Sequence, residues 1–336
     1  MRHAGVDLHN VEALTETDTD GRRLDRLSPE LRADVNENAR EMYTWAAGTE
    51  VRFVCDGSAT VTLSCPTGEC TVVPHYGSFA ADPAEWETLG PEPTALELDA
   101  PDGLHAIDAD RRAEMAFDPA VVRLCLQGEP VHLHDVAGDV RPPHEAELPD
   151  RTLLTYGTSI TQGLLASAGH HTYAARTARR LGTDLVNLGT SGSAHCERVI
   201  ADHVADRDDW DVGVLSISVN MLANGFTPAE FRKRAAYMVD AVAGGERPVA
   251  CVTLYPLFTD VRDEDAPEEW GGSTAAYRET LRDVVAESPH DDLHLVEGPD
   301  LLTDVTGLSP DLVHPSDYGM GEIGARLADR LADLAD

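Results

Sequence analysis

Lysine is almost missing from this chain. Of 26 basic residues only Lys233 is a lysine, the others are arginine, and they face 60 acidic residues for a formal net charge of −34. No basic stripe exists that could neutralise a phosphate backbone, so neither nucleic acid nor an anionic membrane surface is expected as a partner. The acids are spread through every region, the pattern of a proteome adapted to high salt, where added ions screen the self-repulsion. Long apolar runs are absent too. No window approaches 18 uninterrupted apolar residues, and Met1 to Thr19 carries polar and charged residues where a secretory signal would be continuously apolar. The expectation is a soluble, cytoplasmic protein. Cysteine is sparse and scattered (Cys55, Cys65, Cys70, Cys125, Cys196, Cys251) with no CxxC pair, which points to reduced thiols rather than a disulfide framework or structural zinc.

What is present is a chain of 336 residues, enough for about two domains. From about Trp45 to Val136 short alternating runs (Glu50–Cys55, Thr60–Cys65, Thr71–His75, Ala95–Leu98, Val121–Gln127, Val131–Asp135) are punctuated by Gly, Pro and Asp. They predict a β-sandwich or jelly roll. Residues 137–150 hold Pro142, Pro143 and Pro149 among acids and read as an extended linker. The expected division is therefore residues 1–147, with an irregular N-terminal segment and the linker, and residues 148–336. In the second part apolar runs at 152–156, 184–188, 211–218, 248–255 and 293–296 alternate with helical patterns at 171–181, 194–205, 228–243, 274–287 and 316–334. This is an α/β pattern with a parallel sheet covered on both faces, and such sheets place sites at the carboxyl ends of their strands.

The chemically capable residues fall at those ends. Gly157-Thr158-Ser159-Ile160 follows the first strand, Gly189-Thr190-Ser191-Gly192 the second and Ser218-Val219-Asn220-Met221 the third, while Asp311-Leu312-Val313-His314-Pro315 precedes the last helix. A serine at a strand-to-helix turn can be a nucleophile or merely an N-cap. His314 could take its proton, and Asp311, three residues earlier, could orient the imidazole. The Ser159 N–H, the Gly192 N–H and the Asn220 side-chain amide could face a developing oxyanion. Each feature alone has a structural explanation; together they point to acyl transfer.

These four blocks resemble the SGNH hydrolases, also called GDSL-type esterases and acylhydrolases, over residues 151–336. The resemblance implies a flavodoxin-like three-layer α/β domain with Ser159 as nucleophile, Asp311 and His314 completing a triad, and Gly192 and Asn220 joining the Ser159 N–H as oxyanion donors. It also implies a small-molecule ester as substrate and neither metal nor organic cofactor. A β-sandwich ahead of such a domain resembles a two-domain subgroup of esterases and acyltransferases. Thr158 and Met221 replace residues usual in the family and are expected to reshape the surroundings of the nucleophile and oxyanion hole. His195 follows Gly192 and is expected in the pocket, as is Trp270, on an acidic loop (257–273) that includes Asp263, Glu264 and Asp265; solvated packing of that loop is the alternative. With no long apolar lid, short acyl groups on a carbohydrate or other polar small molecule are favoured. A flavodoxin-like nucleotide binder and a silent carbohydrate-binding protein stay open from the residues alone. His132 and His134 alternate on one strand without a third ligand, so no metal is expected.

Overall fold

The computed structural model describes residues 1–99, 101–245, 247–262 and 267–335. Asp263, Glu264 and Asp265 of the expected acidic loop lie outside the described residues. The parallel sheet has five strands, Thr152–Gly157, Asp184–Gly189, Val212–Ser216, Val249–Val252 and Leu293–Val296, in the order second, first, third, fourth, fifth. Because successive side chains point to opposite faces, Leu154, Tyr156, Leu188 and Leu215 enter one apolar layer and Leu153, Val212, Val214 and Ala250 the other. Helices Arg198–Asp206, Pro228–Ala243 and Thr274–Ala286 cover the first face, and Tyr173–Leu181 and Asp317–Ala335 the second. Register aligns Gly157 with both Gly189 and Ser216, so the loops after these three strands leave the sheet side by side.

Ahead of this domain, among the described residues, stand two antiparallel sheets, one of eight strands and one of five. Their apolar faces share a core to which Val51, Phe53, Val72 and Leu124 contribute from one sheet and Val61, Leu63, Leu96 and Leu133 from the other. The last antiparallel strand, Val140–Arg141, sits in the stretch expected to be linker and pairs with Val54 and Cys55. The N-terminal segment, expected to be irregular, forms strands Val6–His9, Ala13–Glu16 and Arg22–Asp25 and two short helices, Pro29–Ala33 and Glu37–Met42. Both helices carry side-chain N-caps, Ser28 and Asn36. Leu27, Val35, Ala39 and Tyr43 from this stretch enter the α/β core, so the core is not divided where the sequence pattern changes. All six cysteines are free, five of them buried. No helix among the described residues is long and apolar enough to cross a membrane.

Buried charge joins the two parts. Arg52, 1% exposed, donates to both carboxylate oxygens of Asp184 (2.6 and 2.7 Å), at the start of the second parallel strand, and to Glu50 (2.7 Å), which also receives Arg123. Burial opposes ionisation of both carboxyls, but the guanidinium groups outweigh it: Arg123 and Arg52 hold Glu50, and Arg52 with His9 holds Asp184, below the usual carboxylate range. Arg26 is equally buried and has no carboxylate; its donors end on the carbonyls of Met42, Trp45, Asn187 and Gly189.

Removing one member of a buried pair strands the other, so Asp184→Ala is expected to lower the unfolding free energy by about 3–5 kcal/mol, whereas the apolar pair Arg52→Met with Asp184→Leu should recover much of that loss. Chemical denaturation in molar KCl checks both. Since both carboxyls are depressed in the folded state, their contribution is complete above their unfolded pKa of about 4 and is lost as pH falls below it. The acid limb of the stability profile should therefore flatten in the apolar double variant.

Candidate active site

Ser159 opens a single helical turn, Ser159–Gln162, after the first parallel strand. The turn is pressed onto the strand ends: a Cβ on Gly157 would lie 2.2 Å from Thr161 Oγ1, and one on Gly189 2.2 Å from the Gln162 nitrogen. Glycine is required at both positions. As the first residue of the turn, Ser159 has an N–H with no intrahelical acceptor.

The Ser159 Oγ lies 2.8 Å from His314 Nε2, and His314 Nδ1 lies 2.7 Å from Asp311 Oδ2. With the proton on Nδ1 donated to Asp311, Nε2 is the acceptor for the serine hydroxyl. The other Asp311 oxygen accepts from the Ser309 hydroxyl (2.8 Å) and from the N–H groups of Val313 (2.8 Å) and His314 (2.9 Å). Burial works against ionisation of Asp311, yet the His314 N–H and ring, the Val313 N–H and the Ser309 hydroxyl hold its carboxyl well below the usual range. Leu312, at φ 56°, turns the loop so that one short segment delivers both side chains.

The expected oxyanion donors come from the two neighbouring loops. Gly192 adopts φ 65°, and its carbonyl accepts from Asn224 Nδ2 (3.3 Å). Asn220, on the helix Val219–Ala223, accepts the Ala194 N–H on Oδ1 (3.1 Å), which leaves its Nδ2 free to donate. One side-chain amide thus ties the third loop to the second.

The other expected residues divide. Thr158 is buried beside Ser159 and lines a narrow cavity with Ile160, Val219, Leu257 and Val313. Met221, expected to shape the site's surroundings, is fully buried in the α/β core instead: one residue beyond Asn220 on a helical turn, it points about 100° away. Trp270 is half-buried with its ring 5.1 Å from Phe258, against the same core. The His195 ring lies 5.1 Å from Phe226, and burial lowers its pKa. Cys196 is buried, and burial pushes its thiol up, unlike a reactive thiolate.

Four bracing residues were not anticipated from sequence. Asn36 and Asn38 donate to the carbonyls of Ser193 (3.0 Å) and Ser191 (3.1 Å), flanking Gly192, Arg26 holds Gly189, and Gln127 donates to the Gln162 carbonyl (3.0 Å). All four come from the part before the parallel sheet. Asn36 alone left a local signal, as a helix N-cap; the others act across 35 residues or more. No cluster of metal-ligating side chains occurs among the described residues, and His134 Nε2 bonds Ser64 (2.8 Å).

The sequence model of the GDSL-like Lipase/Acylhydrolase family matches residues 150–332, more than half of the chain. Comparison with curated proteins gives no significant match. Among solved structures, the salicylyl-acyltransferase SsfX3 from a tetracycline biosynthetic pathway is similar with TM-score 0.75 at 17% identity, over 98% of this chain and 95% of that one. A family two carbohydrate esterase from Clostridium thermocellum, in complex with cellohexaose, gives 0.58 at 15% identity, over 86% and 93%. The acetyl xylan esterase Est2A from the rumen bacterium Butyrivibrio proteoclasticus gives 0.59 at 10% identity, over 99% and 96%. At these identities the likeness is one of fold, and it extends over the antiparallel sheets as well as the parallel one. Family match, sheet order and the four loops agree: the chain belongs to the GDSL-like lipase/acylhydrolase family.

Proposed function

We propose that the protein is a serine esterase or acyltransferase that works through an acyl-enzyme on Ser159. The observation that carries this reading is the continuous chain from Ser159 Oγ to His314 Nε2 and from His314 Nδ1 to Asp311. His314 takes the hydroxyl proton as Oγ attacks the acyl carbonyl, and Asp311, ionised through its four donors, stabilises the imidazolium. The tetrahedral oxyanion faces the Ser159 and Gly192 N–H groups and Asn220 Nδ2. Collapse expels the alcohol, which takes the proton from His314 Nε2. Water or a second alcohol then attacks the ester carbonyl while His314 accepts its proton, and His314 returns that proton to Ser159 Oγ as the acyl–oxygen bond breaks; both outcomes use the same residues.

Hydrolysis of p-nitrophenyl acetate in molar KCl tests the reading. Ser159→Ala and His314→Ala are each expected to lower kcat by about 10⁴-fold or more, with unchanged melting temperatures. Asp311→Asn should cost about 10⁴-fold through the wrong His314 tautomer. Asn220→Ala should cost about 10²–10³-fold in kcat with little effect on KM, since its donor acts on charge that develops only in the transition state. Ester turnover retained by folded Ser159→Ala would overturn the proposal.

A further inference from the structure

Between the antiparallel part and the α/β domain lies a cavity of about 90 Å³, and none of Ser159, Gly192, Asn220, Asp311 and His314 stands in its walls. His75, Phe117 and Leu126 line it from one side and His170, Ala175 and Leu185 from the other. Leu185 is near the start of the second parallel strand, whereas the candidate active site lies beyond Gly189 at its end, about 13 Å along the strand. Arg179, an exposed residue, also belongs to the wall, so the cavity reaches solvent. His75 is only 3% exposed, and its Nδ1 lies 3.2 Å from the Val73 carbonyl, which fixes the ring proton there. Nε2 is left as an acceptor with no partner among the described residues. Burial, with Arg123 nearby, lowers the His75 pKa to about 4, and burial beside His171 lowers that of His170 to about 3, so both rings are neutral at neutral pH. Thr49 and His170, in the same walls, each bury a polar atom (Oγ1 and Nδ1) that has no hydrogen-bond partner. Unmet polar groups gathered around one void call for an occupant.

We infer that this cavity is a second binding site, for a small neutral alcohol whose hydroxyl donates to His75 Nε2 and whose apolar body packs among Phe117, Leu126, Ala175 and Leu185. The charges in the wall are already engaged. Arg123 spends its donors on Glu50 (2.8 and 2.5 Å) and the Gly77 carbonyl (3.2 Å), and its guanidinium lies 3.6 Å from the Phe117 ring centre. Asp184 is held by Arg52, and the Thr183 hydroxyl donates to the Ala178 carbonyl (3.4 Å). An anion would therefore meet Glu50 and Asp184 with no unpaired cation inside the cavity, and a cation would meet two neutral imidazoles. Water fills such a space poorly: about three molecules would fit at roughly 30 Å³ each, and each needs two to four polar partners that a largely apolar wall does not supply. A cavity of about 150 Å³ takes benzene, so one of this size suits a molecule of about four heavy atoms. The site does not depend on the acyl-enzyme reading, because no residue of the Ser159 machinery takes part.

Saturation-transfer NMR on the full chain in molar KCl, titrating 1-propanol, acetate and ethylammonium, tests the site. For 1-propanol a Kd of roughly 0.1–10 mM is expected, since so small a ligand cannot bind tighter than roughly 0.05 mM. Acetate and ethylammonium should bind at least about tenfold more weakly, because the cavity offers a charge no counter-ion. Ala175→Leu puts a good helix former into the void and should abolish transfer to 1-propanol. His75→Phe keeps the ring and removes the acceptor; it leaves no new polar group unpaired and should raise the Kd about tenfold at an unchanged melting temperature. Ser159→Ala should leave the Kd where it is. No transfer to 1-propanol in the native chain would overturn the site, as would a Kd unchanged in Ala175→Leu and His75→Phe. A Kd that rises in Ser159→Ala would place the alcohol at the catalytic serine instead. Acetate or ethylammonium binding as tightly as 1-propanol would overturn the neutral ligand class.

Discussion

The arrangement of this site depends on how closely one helical turn can sit on two strand ends. Neither Gly157 nor Gly189 could carry a Cβ without striking the backbone or the Thr161 hydroxyl. The contact is then locked by polar groups: Asn187 Nδ2 donates to the Thr161 carbonyl (2.8 Å), Thr161 Oγ1 meets the Tyr173 hydroxyl (2.8 Å), and the Ser191 N–H donates to Gln162 Oε1 (2.6 Å). The last bond matters most for chemistry, because it joins the turn that presents Ser159 to the loop that presents Gly192. The turn of Ser159 and the loop of Gly192 are thus set relative to each other by this contact, the kind of fixed placement that the proposed chemistry needs.

The antiparallel part of the chain has a role in this that its position in sequence hides. Arg26 spends its buried guanidinium on carbonyls, two of which, Asn187 and Gly189, end the second parallel strand. A charge in that position, over the Tyr43 ring, has no carboxylate to neutralise it; burial lowers its pKa to about 10, so it stays protonated at neutral pH. What it gains is four carbonyl acceptors, and what the fold gains is a fixed exit for the loop that carries Gly192. Asn36 and Asn38 complete the brace from the same N-terminal stretch. The Arg52, Asp184 and Glu50 group anchors the opposite end of that strand. The second parallel strand, an edge of its sheet, is therefore clamped at both ends by groups that precede the sheet in sequence.

Much of this was legible in the sequence, and what was not had a physical reason. Strand Leu293–Val296 and helix Pro228–Ala243 appear at the expected bounds because each combines a clear apolar pattern with punctuation by Pro, Gly or Asp. The third strand was expected to run through Ser218 but ends at Ser216, since Ser218 turns the chain at φ 132° into the helix of Asn220. The strands at Val6–His9 and Arg22–Asp25 were missed because each is only four residues long, too short for alternation to show, and each is fixed both by a nearby strand and by a distant one: Val51 for Leu8, His132 for Arg23. Helices Pro29–Ala33 and Glu37–Met42 were missed although Ser28-Pro29 and Asn36 are start signals, because five or six residues show no full apolar period. Met221 was expected around the site because it replaces the residue usual in the family after the asparagine, but on the helical turn of Asn220 neighbouring side chains diverge, and it enters the core.

The contrast between the two halves of the chemistry shows where local reading stops. The Asp311–His314 device is almost self-contained: three of the four bonds to the Asp311 carboxylate come from Val313 and His314, and the fourth from Ser309, all within three residues. A carboxylate satisfied by its own loop needs no distant partner to fix its geometry, so the spacing of two residues was enough to find it. The oxyanion side is the opposite case. Asn220 is aimed by the Ala194 N–H, 26 residues away, and Gly192 by loops whose braces start at Asn36 and Asn38, more than 150 residues away. Donor identity can be guessed from a motif, but donor direction is a property of the assembled sheet edge. A change at residues 26–38 therefore acts on the loop of Gly192, through the carbonyls of Gly189, Ser191 and Ser193, without touching Ser159, Asp311 or His314.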